Sequence, residues 1–276
     1  MIFDQAAKLI GNADALLICA GAGMGVDSGL PDFRGNQGFW NAYPPYAEKG
    51  LSFIDMANPN WFSNDPEFAW GFYGHRLGLY RETKPHEGFD ILLKWAKQMS
   101  FGYFVFTSNV DGHFQKAGFP EDRIMEVHGS IHYMQCLNNC DQETFDGFSI
   151  NVQVDETTMN AIAPLPTCPK CSSLLRPNIL MFGDYGWNGS RQERQSGDYS
   201  MWLREIEGMN LVIIECGAGT GVPTVRYETE KLANRIATAI RINVREPQIS
   251  PPNLSINEGA ADSLRKIDEI LGSITG

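Results

Sequence analysis

The sequence predicts an α/β fold: a doubly wound, Rossmann-like parallel sheet that carries a second, smaller lobe. Three observations lead to this prediction. Short apolar runs end in clusters of glycine or polar residues, as parallel strands do where they meet a ligand. Helix signals lie between these runs. Two longer stretches, 36–84 and 133–175, interrupt the alternation. We expect the sheet lobe to comprise 1–35, 85–132 and 176–276, and the two interruptions to form the smaller lobe.

The first predicted strand is the apolar run Ala15–Cys19, and glycines at 21, 23 and 25 follow it. Glycine lets main-chain amides approach an anion without a Cβ in the way. The spacing is not the usual dinucleotide fingerprint, because a GxGxxG count from Gly21 ends on Val26. For the glycines alone, ordinary loop geometry remains the alternative to a nucleotide pocket.

The same segment continues into Pro31-Asp32-Phe33-Arg34, which combines a fixed φ, an anion, an aromatic face and a guanidinium. An arginine pairs bidentately with phosphate. The whole segment resembles GAGxSxxSGIPDFRG, the signature of the sirtuins, which are NAD-dependent protein-lysine deacylases. The resemblance implies NAD as co-substrate. The residues it assigns to NAD binding here are Ala20, Gly21, Ala22, Asp32, Phe33 and Arg34.

The second predicted strand, Tyr103–Phe106, ends in a polar cluster that includes Ser108, Asn109 and Asp111. Asparagine as a turn former and aspartate as a helix N-cap are the plain alternative. The segment resembles the sirtuin motif TQNIDxLHxxAG, with Ser108 in place of glutamine and His113-Phe114 in place of Leu-His. The resemblance implies that Ser108, Asn109 and Asp111 contact NAD, and that the last two belong to the catalytic group.

A third apolar run, Ile124–Ser130, carries His128 and a glycine at its end. A lone histidine is most often structural. This one matches the sirtuin His-Gly motif, which implies that His128 is the general base. In that role it deprotonates a ribose hydroxyl once an acyl-lysine carbonyl oxygen has attacked C1′ of the nicotinamide ribose. An imidazole with a pKa of about 6.5 suits this task.

The six cysteines divide into two groups. Cys19 and Cys216 end apolar runs and are expected to be buried strand residues. The other four form two close pairs whose spacing predicts a structural Zn²⁺ site, with a disulfide as the alternative. Sirtuins carry such a site, usually with two residues inside each pair, whereas the first pair here encloses three. The predicted zinc ligands are Cys136, Cys140, Cys168 and Cys171.

Three later segments extend the resemblance. Leu175–Asp184 resembles LRPxVVxFGE, beside which the acyl-lysine peptide of sirtuins lies as an added strand. This implies substrate contacts for Phe182, Gly183 and Asp184. The predicted strand and turn over 211–223 resemble GTSLxVxP and assign Gly217 and Ala218 to the cofactor. The last predicted strand, 239–244, places Asn243 where sirtuins face the adenosine ribose.

Three helices are predicted outside these motifs. One begins at Asp65 and Pro66, as N-cap and first helical residue; the second runs from Lys84 to Met99, and the third covers 263–271. On the first, Tyr73 and Arg76 share one face. They resemble the Tyr-x-x-Arg pair of sirtuins that prefer succinyl or malonyl groups, where the pair holds the distal carboxylate. A packed tyrosine beside a solvated arginine is the alternative.

The composition bears on partners and location. With 22 basic and 33 acidic residues the formal net charge is −11, which disfavours nucleic acid and anionic membranes and suits a lysine-bearing protein substrate. The sequence has no apolar stretch of 18 residues and no basic, then apolar start, so we expect a cytoplasmic protein. The oligomeric state is left open.

Three functions follow from the resemblance. The first is an NAD-dependent lysine deacylase that releases nicotinamide and O-acyl-ADP-ribose. The second is an NAD hydrolase or ADP-ribosyltransferase, which uses the same activated carbon. The third is a non-catalytic sensor of NAD or ADP-ribose, suggested by Ser108 and the shortened turn at 217–223. A pure binder has no need of a general base, so His128 favours the first two.

Overall fold

The computed structural model describes residues 1–31, 36–140 and 142–275. The helices are α1 Ile2–Gly11, α2 Asn36–Ala42, α3 Pro44–Glu48, α4 Phe53–Met56, α5 Trp61–Asn64, α6 Pro66–Glu82, α7 Glu87–Ala96, α8 His113–Lys116, α9 Ser190–Glu205, α10 Thr224–Ala233 and α11 Ala260–Thr275. The strands are β1 Ala15–Ala20, β2 Tyr103–Thr107, β3 Ile124–Glu126, β4 Gly129–Cys136, β5 Phe145–Asp146, β6 Gln153–Asp155, β7 Asn160–Ile162, β8 Leu175–Ile179, β9 Leu211–Cys216, β10 Ala237–Ile242 and β11 Leu254–Ile256.

Six strands form one parallel sheet in the order β11-β10-β9-β1-β2-β3. The strand order reverses between β1 and β9, which is the arrangement of a doubly wound fold. Every residue of β1 and β9 is buried, because helices cover both faces of the sheet. The predicted fold class is confirmed.

Each face of this sheet packs against its own group of helices. On one face, α1, α7 and α11 bury apolar side chains such as Ile10, Leu92 and Leu264. On the other, α9 and α10 bury Trp202 and Leu232. Among the described residues, no helix has the length and apolar content needed to cross a membrane.

The smaller lobe has a separate apolar core. The aromatic side chains of α2, α3 and α6 pack against the three-stranded antiparallel sheet β5-β4-β8 and the hairpin β6-β7. Asp65 caps α6 by accepting a hydrogen bond from the backbone of Phe68 at 3.1 Å, as predicted. The β6-β7 hairpin packs directly against the backbone of α6 at Gly71. A side chain there would not fit, because its Cβ would lie only 1.9 Å from the carbonyl oxygen of Met159.

The expected strand over 124–130 divides in two. β3 ends at Glu126 in the large sheet, and the chain crosses to the smaller lobe before β4 begins at Gly129. β8, which the sequence assigns to the large sheet, instead pairs antiparallel with β4. We therefore propose that the second segment of the smaller lobe runs from 129 to 179, because the two strands that bound it depend on each other for hydrogen bonds.

Candidate active site

A cavity of about 700 Å³ lies beyond the carboxyl ends of β1 and β9, where the strand order reverses. Both lobes contribute to its wall, and its size suits a small-molecule ligand. The residues that line it include Gly21, Ala22, Tyr73, Arg76, Tyr80, Ser108, Asn109, Asp111, His128, Phe182 and Ala218.

Two glycine loops interlock at the base of this cavity. The backbone N–H of Gly21 donates to Cys216, and that of Gly23 donates to the carbonyl of Gly217, each at 3.0 Å. A Cβ at Gly21 would lie 2.7 Å from the Cα of Ala218. Gly217 has a φ of +63°, and a Cβ there would lie 2.3 Å from the backbone of Gly23. The loops therefore form a narrow backbone cradle of the kind that accepts a pyrophosphate.

Replacing Gly217 with alanine is expected to lower the free energy of unfolding by about 2 kcal/mol, because a left-handed backbone is unfavourable for a side chain and the methyl group meets the opposite loop. NAD, the nucleotide implied by the resemblance, is expected to bind less tightly. Thermal melting and calorimetric titration measure the two effects. Gly197→Ala, in α9 and outside the cavity lining, is the control, since its Cβ meets no described atom within 4 Å. Wild-type melting and binding in Gly217→Ala would contradict the prediction.

The structure describes some of the predicted cofactor residues and not others. Asp32, Phe33 and Arg34 lie outside the described residues. Ala20 contributes its carbonyl oxygen, which accepts hydrogen bonds from the Thr107 hydroxyl at 3.0 Å and the Ser108 backbone at 3.1 Å.

Asn243 is buried and is occupied by backbone partners. Its amide donates to the carbonyl of Ala218 at 2.8 Å, and its oxygen accepts from the backbone of Arg245 and Glu246. It does not line the cavity. These bonds show that Asn243 shapes the second glycine loop, while its contact with the cofactor stays a prediction.

Ser108, Asn109 and Asp111 all line the cavity, as the sequence predicts for a ligand site. Asp111 accepts a hydrogen bond from the backbone of His113 at 2.9 Å, and its own carbonyl lies 2.9 Å from Nε2 of His132. The His113 side chain is completely buried and does not line the cavity. It is therefore not placed to supply the contacts of the glutamine that the sirtuin motif has at the position of Ser108.

His128 lies in the two-residue crossing between the large sheet and the smaller one. Burial lowers the pKa of its imidazole, and a hydrogen bond to the backbone of Ser108 partly opposes that shift. The ring is therefore neutral at pH 7 and can accept a proton. Its backbone carbonyl accepts a hydrogen bond from Leu180 at 2.9 Å, which ties the crossing to the segment after β8.

Three side chains of α6 form a polar corner of the cavity. Tyr73, Arg76 and Tyr80 are almost fully buried. Nη2 of Arg76 donates to the Tyr80 hydroxyl at 2.6 Å, and the Tyr73 hydroxyl is buried without a hydrogen-bond partner among the described residues. Burial raises the pKa of Tyr73 to about 12, so its hydroxyl keeps its proton. Tyr80 is not among the residues predicted from the sequence, although its place four residues after Arg76 puts it on the same helix face.

The segment after β8 carries the three residues that the resemblance assigns to the substrate, and the structure places them differently. Phe182 lines the cavity, and Gly183 has a φ of +67° with open space beside it. The Asp184 carboxylate, by contrast, forms a buried ion pair with Arg176 and does not line the cavity. The Asp184 carboxylate therefore fixes the shape of this segment, and its contact with a substrate stays a prediction.

The four paired cysteines come together, as their spacing predicts. Their sulfur atoms all lie within 4.8 Å of one another, and none is in a disulfide. Four thiolates at this separation fit a tetrahedral zinc site with no open position. Cys136 and Cys168 are buried while Cys140 and Cys171 are exposed, so the site lies at the edge of the smaller lobe. Cys19 and Cys216 are buried in strands, as expected.

Fold and site define the class of protein: a doubly wound nucleotide-binding α/β protein with a four-cysteine structural module. Within that class the chain belongs to the Sir2 family, the sirtuins, whose family model matches residues 21–196. It is 30% identical over 248 residues to NAD-dependent protein deacylase 1 of Archaeoglobus fulgidus, covering 90% of this chain and 89% of the relative. It is 29% identical over 252 residues to the NAD-dependent protein deacylase of Thermococcus kodakarensis, covering 91% and 88%.

A solved structure agrees with the sequence relatives. The crystal structure of a Sir2 homolog–NAD complex superimposes with a TM-score of 0.74 at 25% identity, covering 99% of this chain and 95% of that one. The resemblance noted in the sequence is thus confirmed over nearly the whole chain.

Proposed function

We propose that this protein is an NAD-dependent protein-lysine deacylase. One observation carries the proposal: His128, a neutral and partly buried histidine, lines the same cavity as Asn109, Asp111 and the two interlocked glycine loops. In a sirtuin, that arrangement joins a proton acceptor to a nucleotide cradle. The deacylase names of relatives that cover about 90% of the chain support the same activity.

The chain's residues suit NAD as co-substrate. The backbone cradle of Gly21 and Gly217 would hold the pyrophosphate, and Ser108, Asn109 and Asp111 would contact the nicotinamide end. Bound NAD supplies an electrophilic ribose carbon and nicotinamide as leaving group. His128 accepts a proton at its imidazole ring, which burial keeps neutral.

The acyl-lysine substrate enters through an apolar mouth. Ile54, Leu180, Phe182 and Val222 all line the cavity and are 58%, 37%, 40% and 46% exposed. Exposed apolar side chains grouped around one cavity are typical of a binding site. A lysine aliphatic stem suits this mouth, and the net charge of −11 favours lysine-bearing proteins over nucleic acid. We propose acylated proteins as partners and the cytoplasm as the location.

The test is mass spectrometry of the protein incubated with NAD and matched acetyl-, succinyl- and malonyl-lysine peptides. Peptide-dependent nicotinamide and O-acyl-ADP-ribose establish the deacylase. Nicotinamide released without peptide would instead indicate an NAD hydrolase or ADP-ribosyltransferase. NAD binding without any release would indicate a sensor.

We further propose that the preferred acyl group carries a carboxylate. The corner formed by Tyr73, Arg76 and Tyr80 presents to the cavity a buried cation and the Tyr73 hydroxyl, which has no hydrogen-bond partner in the described part of the chain. Arg76→Met is expected to reduce kcat/KM for succinyl peptide about 10- to 100-fold, since hydrogen bonds to charged groups are the strong ones. Steady-state kinetics measure this, with acetyl peptide on the same variant as the internal control. Equal losses on both peptides, or faster wild-type turnover of acetyl peptide, would contradict it.

A further inference from the structure

The segment Leu180–Asn188, which we name the substrate-facing loop, contains neither helix nor strand. Phe182 lines the cavity, and the Tyr185 side chain is fully exposed. The first half of the loop is fixed by the buried ion pair between Arg176 and Asp184. A loop that faces a substrate needs support along its second half as well, because ordering free backbone costs about 1–2 kcal/mol per residue.

The side-chain amides of Gln135 and Asn139, which lie beside the predicted zinc ligands in the sequence, supply that support. The carbonyl oxygen of Gly186 accepts one hydrogen bond from Nε2 of Gln135 at 2.8 Å and another from Nδ2 of Asn139 at 3.0 Å. Oε1 of Gln135 accepts from the backbone of Asn188 at 3.1 Å and from Nδ2 of Asn178 at 3.0 Å. Gln135 is buried, so both ends of its amide are committed to holding the loop against β4 and β8.

Both donors to Gly186 adjoin a predicted metal ligand. Gln135 precedes Cys136 directly, and Asn139 precedes Cys140. Asn139 has a φ of +46°, a conformation that asparagine tolerates better than most residues. It belongs to the three-residue spacer of the first cysteine pair, where sirtuins usually have two residues. The departure noted in the sequence thus coincides with a contact to the substrate-facing loop.

We propose that Asn139, together with Gln135, is a positioning residue that makes the turn between the first two zinc ligands a support for the substrate-facing loop. Metal binding and acyl-peptide binding are thereby coupled. The inference rests on the proposed deacylase function. By linkage, whatever factor the metal contributes to peptide affinity, the peptide contributes to metal affinity.

The decisive variants are Asn139→Gly and Asn139→Asp in the zinc-loaded protein. Glycine accepts the left-handed backbone while removing the donor, and aspartate keeps the size but places a carboxylate against the Gly186 carbonyl. We expect the KM for the acyl peptide to rise about 3- to 10-fold, as for one lost hydrogen bond, with kcat and the KM for NAD unchanged. Asn138→Ala, at the exposed neighbouring position, is the matched control and is expected to behave as wild type.

Two further measurements do not depend on turnover. Chymotrypsin cleavage after Tyr185 is expected to be faster in both variants, with one zinc per chain retained. In competition with a chelator, acetyl-lysine peptide without NAD is expected to raise zinc affinity in wild type and to do so less in Asn139→Gly. Wild-type peptide KM and cleavage rates would overturn the inference, as would loss of zinc from the variants or an equal effect in Asn138→Ala. Absence of deacylation from every peptide would overturn the proposed function, while the cleavage and chelator measurements still test the coupling.

Discussion

His128→Ala is expected to lower kcat/KM for acyl peptide about 10²- to 10⁴-fold, the usual contribution of a general base. The side chain is partly buried and lines the cavity, in the crossing between the two sheets. Alanine removes the proton acceptor but leaves the glycine cradle intact, so NAD binding and the melting temperature are expected to stay near wild type. Steady-state kinetics with calorimetric NAD titration measure both. Retained turnover, or lost NAD binding, would contradict the assignment.

The lowered pKa of His128 predicts how the activity depends on pH. An imidazole accepts a proton only when neutral, and burial lowers the pKa of His128 below its ordinary value of about 6.5. Activity is therefore expected to persist as pH falls to about 6.5 and to decline only at lower pH, as the ring becomes protonated. An acid limb above the ordinary histidine pKa would show that another group limits the reaction.

Arg241→Met is expected to lower the free energy of unfolding by about 3–5 kcal/mol, because it leaves a buried carboxylate without its cation. Arg241 and Glu215 are register partners on β10 and β9 and are both essentially inaccessible to solvent. Nε of Arg241 lies 2.5 Å from Glu215, and Nη2 lies 2.9 Å from both Glu215 and Glu230. Denaturant unfolding measures the loss.

Two further variants serve as controls for the Arg241→Met experiment. Lys231→Met breaks an ion pair with Glu228 in which the lysine is 57% exposed, and is expected to cost less than about 1 kcal/mol. The double variant Arg241→Met with Glu215→Met is expected to recover much of the loss, since it removes the unpaired charge. A single Arg241→Met variant within about 1 kcal/mol of wild type would contradict the prediction.

The sequence by itself determined the sheet, the glycine loops and the metal module. The runs at 15–19, 103–106 and 211–216 became β1, β2 and β9, because a parallel strand buried on both faces is mostly apolar. Glu215 of β9 is an exception, and Arg241 neutralises its charge. The cysteine spacing was equally sufficient, since metal geometry limits the ways four thiolates can meet. These features follow from local sequence patterns, whereas the role of His128 is inferred from the resemblance to sirtuins.

Only the tertiary structure decided which side chains face the cavity. Asp184 and Asn243 sit in segments that match sirtuin motifs, yet buried partners engage both: Arg176 in one case and backbone groups in the other. Tyr80 joins the cavity because α6 turns that face inward. β8 pairs with β4 instead of the large sheet, and brings Asn178 to Gln135. These outcomes depend on hydrogen bonds and ion pairs between residues distant in sequence, which no local spacing specifies.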